Sequence, residues 1–285
     1  MNKSIASWQN LFTAKSVLKN LRKLVSLDVI APMLVGVAVL LIWEVSVRVT
    51  NTPPFILPGP WLVLKTMRQE WGNLFPALLN TLAVTVVAFL VSAASGLFVA
   101  ILFAQSKWIE KSLYPYAVVI QTTPLAAIAP LIIIWLKNNT FGALVICAWI
   151  AALFPVISNT TFGLNSIDSN LGDLFKLYKA SRWQTMLYLR LPSALPYFLA
   201  GLRISGGLAL IGAVVAEFVA GTGGSGSGIA YKILIAGYNL QVPKMFAALL
   251  MTTALGIIIF VVLSALSDLI LRDWHESSVQ QEGKI

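Results

Sequence analysis

From Trp71 to Ser106 the chain runs for 36 residues without a charged side chain. Coiled as a helix at about 1.5 Å per residue, that run exceeds the ~30 Å hydrocarbon thickness of a bilayer. A helix of that length on a water-soluble protein needs a polar outer face. This one lacks it, so the run reads as a membrane span.

Comparable runs recur along the chain. The first is Val29–Trp43, extended past Glu44 to about Val49; the second is the apolar part of the long run, from about Pro76 to Ala104. Ser112–Leu136 follows, then Asn138–Ile167, with its apolar part at about Phe141–Phe162. Leu195–Ala220 is interrupted only by Arg203 and Glu217, and Phe246–Leu266 is the last. The expectation is an all-α membrane protein with six transmembrane helices and both termini on one side. It divides into an interfacial segment 1–28, a six-span domain 29–272 with a polar loop at about 168–193, and a tail 273–285. Composition agrees: 58% of the 285 residues are hydrophobic and 11% charged, too few charges to cover a soluble surface.

The net charge of +9 would suggest nucleic acid in a soluble protein. Here it follows topology, and no nucleic-acid partner is expected. With the N-terminus inside, thirteen Lys and Arg fall on the cytoplasmic side and six outside, with Arg203 left within a span. Within residues 1–28, Trp8, Leu11, Phe12, Leu18 and Leu21 alternate with basic residues. That pattern suits either a helix lying on membrane lipid or a basic tail without fixed structure. Cys147 can form no intrachain disulfide, and a lone His275 leaves little material for a metal site.

One long polar segment interrupts the apolar domain, Asp168–Pro196. Leu171, Leu174, Phe175 and Tyr178 stand at i, i+3, i+4 and i+7, the apolar face of a short helix. Ser181-Arg182-Trp183-Gln184 matches a capping box, which predicts a second helix from Arg182 to about Arg190. Pro192 and Pro196 are expected to stop it, since neither donates a backbone hydrogen bond. Two helices joined by a turn make a knob whose apolar face packs either on the chain's own spans or on a partner.

This segment resembles the EAA loop of ATP-binding-cassette importer permeases. Asp173-Leu174-Phe175 stand at the Glu-Ala-Ala positions, Lys179 at the usual glycine, and Leu191-Pro192 at the Leu-Pro. The stretch Ala180–Glu217 is similar to nitrate/sulfonate/taurine-type permeases. The resemblance implies a docking loop for an ATPase, carried here by Asp173, Phe175, Lys176, Tyr178, Lys179, Ala180, Ser181, Arg182, Trp183, Gln184 and Pro192. It also implies two ATPase subunits that bind ATP and Mg, a second permease copy, and an external substrate-binding protein. No cofactor is expected in this chain, and no enzymatic activity. Lys179 departs from the pattern: an L-residue loses about 1–2 kcal/mol in the left-handed conformation that glycine adopts freely. Lys179 therefore either takes an ordinary conformation or faces acidic groups on the ATPase.

Polar residues inside spans are candidates for a solute path. Gln121, Thr122 and Thr123 precede Pro124 near the middle of the third span, and Asn159 lies in the fourth. Interhelical hydrogen bonding is the competing role for each. Arg203 and Glu217 are fourteen residues, or ~21 Å, apart on a straight helix, too far to pair. Arg203 belongs to a Leu-Arg-Ile stretch typical of the resembling group. Glu217 either pairs with the second copy or faces the outer vestibule. The glycine-rich stretch Gly221–Gly228 contains G-x-G-x-x-G but follows a membrane helix rather than a strand, and no Gly-Lys-Ser/Thr follows. It reads as an outer turn, so the chain has no ATP site of its own.

Gln121-Thr-Thr-Pro-Leu-Ala-Ala-Ile-Ala-Pro resembles permeases for thiamine-precursor pyrimidines and riboflavin somewhat more than those for anions. The expected solute is a nitrate-, sulfonate- or taurine-like anion or such a heterocycle. A stand-alone ion-coupled transporter is the alternative; it needs intramembrane carboxylates, and Glu217 alone is thin material for that.

Overall fold

A computed structural model describes residues 27–221 and 226–271. The described residues are helical throughout their ordered elements. Helix α1 spans Leu27–Val49, α2 Pro60–Gln69 and α3 Trp71–Gln105. Then come α4 Lys107–Thr122, α5 Leu125–Trp135 and α6 Thr140–Asn165. Helix α7 is Ser169–Leu177, α8 is Arg182–Ala220, α9 is Ile229–Tyr238 and α10 is Val242–Leu271. The expected interfacial segment 1–28, apart from the start of α1, and the tail 273–285 lie outside the described residues.

Five of these helices, α1, α3, α6, α8 and α10, are long and apolar enough to cross a bilayer; α4 and α5, which meet at a 94° bend, count as a sixth if the bent pair is one span. The expected third span is therefore not one rod. Thr123 and Pro124 are both extended, at ψ 126° and 110°. The proline ring pushes the residue before it out of the helical region, so the chain leaves one helix and starts another there.

Helices α6 and α8 form the central pair, with α3 packed across both. Their backbones approach closely because small residues face each other. A Cβ on Gly212 would stand 2.8 Å from Ala148 Cα, and one on Gly201 2.9 Å from the Pro155 carbonyl. Ser205 Oγ donates across the seam to the Ala152 carbonyl at 2.8 Å. Lipid offers no hydrophobic drive for such pairs, so close packing and interhelical hydrogen bonds hold them. Buried Val84, Ala88, Leu144, Cys147 and Ala213 fill the core between the three helices.

The region around α2 is assembled from short pieces. Pro60 sits in the first turn of α2, where its missing N–H is no loss. Glu44 accepts from Arg48 Nε, one turn on, at 2.7 Å. Lys244 meets Glu70 at 2.8 Å. That ammonium and the Asn73 amide hold the Glu70 carboxyl below the usual carboxylate range.

Candidate functional site

The polar segment after α6 folds as two helices joined by a tight turn. Asp168 caps α7, its Oδ1 accepting from the Asn170 N–H at 2.7 Å. The end of α7 is closed by two bonds: Lys179 N–H donates to the Lys176 carbonyl at 2.9 Å, and Ala180 N–H to the Phe175 carbonyl at 3.0 Å. These are the two bonds of a Schellman cap, which requires a left-handed residue at the first position past the helix end. Lys179 has φ +52°. Of the two readings open in the sequence, an ordinary conformation is thus excluded: Lys179 adopts the glycine geometry despite its Cβ.

Two residues later α8 begins on the expected capping box. Ser181 Oγ accepts from Gln184 N–H at 3.2 Å, and Gln184 Oε1 accepts from Ser181 N–H at 2.7 Å. The helix does not end near Arg190, as the two prolines had suggested; it runs to Ala220. A π turn at Met186–Arg190 precedes Pro192. Its wider i→i+5 spacing shifts the carbonyl ladder where the proline would otherwise clash, so the rod absorbs the ring.

The base of this knob is anchored. Met186 is buried with Ala100, Leu164 and Ala194, and Arg190 Nη1 donates to the Ala104 carbonyl at the end of α3 at 3.0 Å. Its far side is open: Leu177 and Tyr178 are each 79% exposed, and Leu171, Leu174 and Trp183 are exposed as well. Phe175 is half-buried. The apolar face read from sequence is therefore not covered by the chain's own spans. Asp173 and Lys176 pair at 2.8 Å on the surface of α7; Lys179 and Arg182 are exposed.

Among the described residues no hydrogen bond or ion pair joins the polar residues proposed for a path to one another. Gln121 and Thr122 lie exposed at the break in the third span. Thr122 and Thr123 donate to carbonyls of their own last turn, Thr123 Oγ1 to Val119 at 2.7 Å. Asn159 donates to the Pro155 carbonyl at 2.8 Å, on the α6–α8 seam. Arg203 reaches Asp268 of α10 at 3.7 Å. Glu217 is 3% exposed and lines a cavity with Asn80, Thr140 and Gly226. One carboxylate oxygen, Oε2, accepts from Thr81 Oγ1 at 3.0 Å and from the Ala230 N–H at 3.1 Å. Thr81 Oγ1 in turn accepts from the Ile229 N–H at 2.9 Å. Glu217 and Thr81 thus satisfy the first amides of α9, whose orphan N–H groups need partners. Thr81 was missed in the sequence, although a threonine beside Asn80 is conspicuous within an uncharged run. Among the described residues no cluster of three or more His, Cys, Asp or Glu could hold a metal.

Comparison with known proteins identifies this multi-helix bundle. The profile of the family described as "Binding-protein-dependent transport system inner membrane component" matches residues 92–272. The chain is 30% identical over 247 residues to the formylaminopyrimidine transport permease protein ThiX of Halalkalibacterium halodurans, covering 86% of this chain and 96% of that one. It is 33% identical to the riboflavin transport system permease protein RibX of Chloroflexus aurantiacus, covering 84% and 87%. Identity is 32% to the putative aliphatic sulfonates transport permease protein SsuC of Bacillus subtilis, covering 84% and 83%. The crystal structure of an amino acid ABC transporter with histidines shares the fold at a TM-score of 0.58 and 21% identity, covering 73% of this chain and 96% of that one. The chain belongs to the binding-protein-dependent inner-membrane component family and is a permease subunit of an ABC importer.

Proposed function

We propose that the knob is the chain's ATPase-docking element, entered into a cleft of the partner through Tyr178, Lys179 and the exposed face of α7. In this reading two copies of the permease pair with two ATPase subunits, which bind ATP and Mg. A binding protein delivers solute on the opposite face, and both termini lie in the cytoplasm. The observation that carries it is the construction of the knob. Its tip is exposed and apolar, while its base is anchored on α3 by Arg190 and continues without a joint into α8. A push on the tip therefore moves a core helix as a rigid body, the kind of transmission that domain switching needs. The chain itself performs no covalent chemistry.

The proposed solute is a small polar heterocycle of the kind named for the ThiX and RibX relatives, with an anion of the sulfonate or nitrate class second. Support comes from Arg203: the cation deepest in a span has Asp268 within 3.7 Å, so its charge is partly answered within the chain. Gln121, Thr122, Thr123 and Asn159 would then offer amide and hydroxyl groups. Glu217 supports the outer end of the path through α9 and does not touch solute.

Lys179→Glu tests the docking. The substitution reverses a charge at the knob's turn, and co-purification of the ATPase should weaken most at low salt, where charges are least screened. Unchanged association and uptake at low salt would overturn the assignment.

A further inference from the structure

Beneath the knob lies a cavity of about 260 Å³, among whose lining residues are Lys176, Arg182 and Arg190 together with Gln105 and Thr185. No carboxylate lines it. Arg190 is held in place by its bond to the Ala104 carbonyl, and Arg182 makes no ion pair among the described residues. The pair between Lys176 and Asp173 is exposed on both sides, so it offsets little of the local charge. Three cations round one cavity repel one another and leave a strong field for an anion. Two guanidinium groups suit phosphate best, because their paired N–H donors match its oxygens.

The cavity's height narrows the source of that phosphate. Gln105 ends the 35-residue apolar helix α3, which is longer than the ~30 Å of hydrocarbon, so the cavity floor lies at or beyond the hydrocarbon edge. Exposed Trp108, Trp183 and Tyr188 lie close in sequence to the lining residues, and such aromatics favour the headgroup level. The tip residues Leu177 and Tyr178 do not line the cavity, whereas Lys176, Ala180 and Arg182 of the expected docking set do, so a partner seated on the tip alone leaves it free.

We propose that this cavity binds the phosphate headgroup of an acidic lipid in the cytoplasmic leaflet, a contact that braces the knob against the bilayer. The inference rests on the orientation proposed above, with the knob in the cytoplasm.

The test is native mass spectrometry of the assembled permease–ATPase complex, equilibrated in detergent with equal amounts of phosphatidylglycerol and phosphatidylcholine. Phosphatidylglycerol should be retained preferentially. Neutralising Lys176 and Arg182 together to Gln should cut that retention about thirtyfold, or about fivefold per charge. The charge-preserving exchange Lys176→Arg with Arg182→Lys should keep most of it, which separates lost charge from lost folding. Equal retention of the two lipids, or retention indifferent to the Gln pair, would overturn the site. So would phosphatidylglycerol binding only after the ATPase is stripped away, since an ATPase carboxylate would then be the occupant. If inorganic phosphate fills the site in lipid-free detergent while phosphatidylglycerol shows no preference, the source is free anion and the lipid assignment fails. ATPase co-elution is scored in the same sample. A wild-type complex that keeps its ATPase without preferring phosphatidylglycerol faults this inference alone; Lys179→Glu that leaves ATPase co-elution unchanged while phosphatidylglycerol is retained faults the docking reading alone.

Discussion

Replacing Lys179 with glycine should tighten the knob. Lys179 holds φ +52°, a conformation in which an L-residue is about 1–2 kcal/mol above glycine. Glycine loses more freedom on ordering, about 0.5–1 kcal/mol, so the net gain is about 0.5–1 kcal/mol. The two amides that report on it are those of residue 179 and Ala180, which close the cap on the Lys176 and Phe175 carbonyls. Local opening governs their hydrogen exchange, so exchange should slow about two- to fivefold in Lys179→Gly. Lys179→Val should do the opposite, because a β-branched residue tolerates positive φ poorly. The assay is hydrogen exchange on the permease in lipid nanodiscs, read on peptides spanning α7 and the start of α8. Equal exchange in the glycine, lysine and valine forms would refute the argument that residue 179 is strained.

Other expectations concern packing and pH. Gly212→Ala puts a methyl 2.8 Å from Ala148 Cα and 2.9 Å from Ala151 Cβ, and the contact is largely backbone, so it should destabilise by about 1–3 kcal/mol. Gly207→Ala, with nothing within 4 Å, is its control, and thermal melting in detergent should separate the two. Glu70 is depressed by the ammonium of Lys244. Its contribution to stability is therefore full above the ordinary carboxylate pKa and is lost as pH falls through the lower folded value. Glu70→Gln should flatten that part of the acid-melting profile and leave melting above it nearly independent of pH; an unchanged profile would refute the pairing.

The spans were legible because hydrocarbon excludes charge, and charge is readable one residue at a time. The break at Thr123-Pro124 was only half legible. Its proline and hydroxyls stand out, but mean hydropathy carries no direction, so a 94° bend looks like a straight span. The capping box at Ser181 was read correctly because both of its bonds lie within four residues. Pro192 misled for the opposite reason: whether a proline ends a helix depends on the turn before it, and a π turn leaves no mark in residue type. Glu217 was visible as an acid within a span. Its partner Thr81 is 136 residues away in the chain, a pairing that only tertiary structure supplies. The left-handed geometry of Lys179 was foreshadowed by its place at a glycine position, although its side chain argued against it.

In the proposed mechanism this permease moves solute by coupling its knob to an ATPase. Uptake into vesicles holding the permease, with its ATPase and binding protein added or withheld, tests that most directly. Transport should require the ATPase and ATP, persist when ion gradients are collapsed, and fall in Lys179→Glu. Uptake that continues without the ATPase and follows an ion gradient would contradict it.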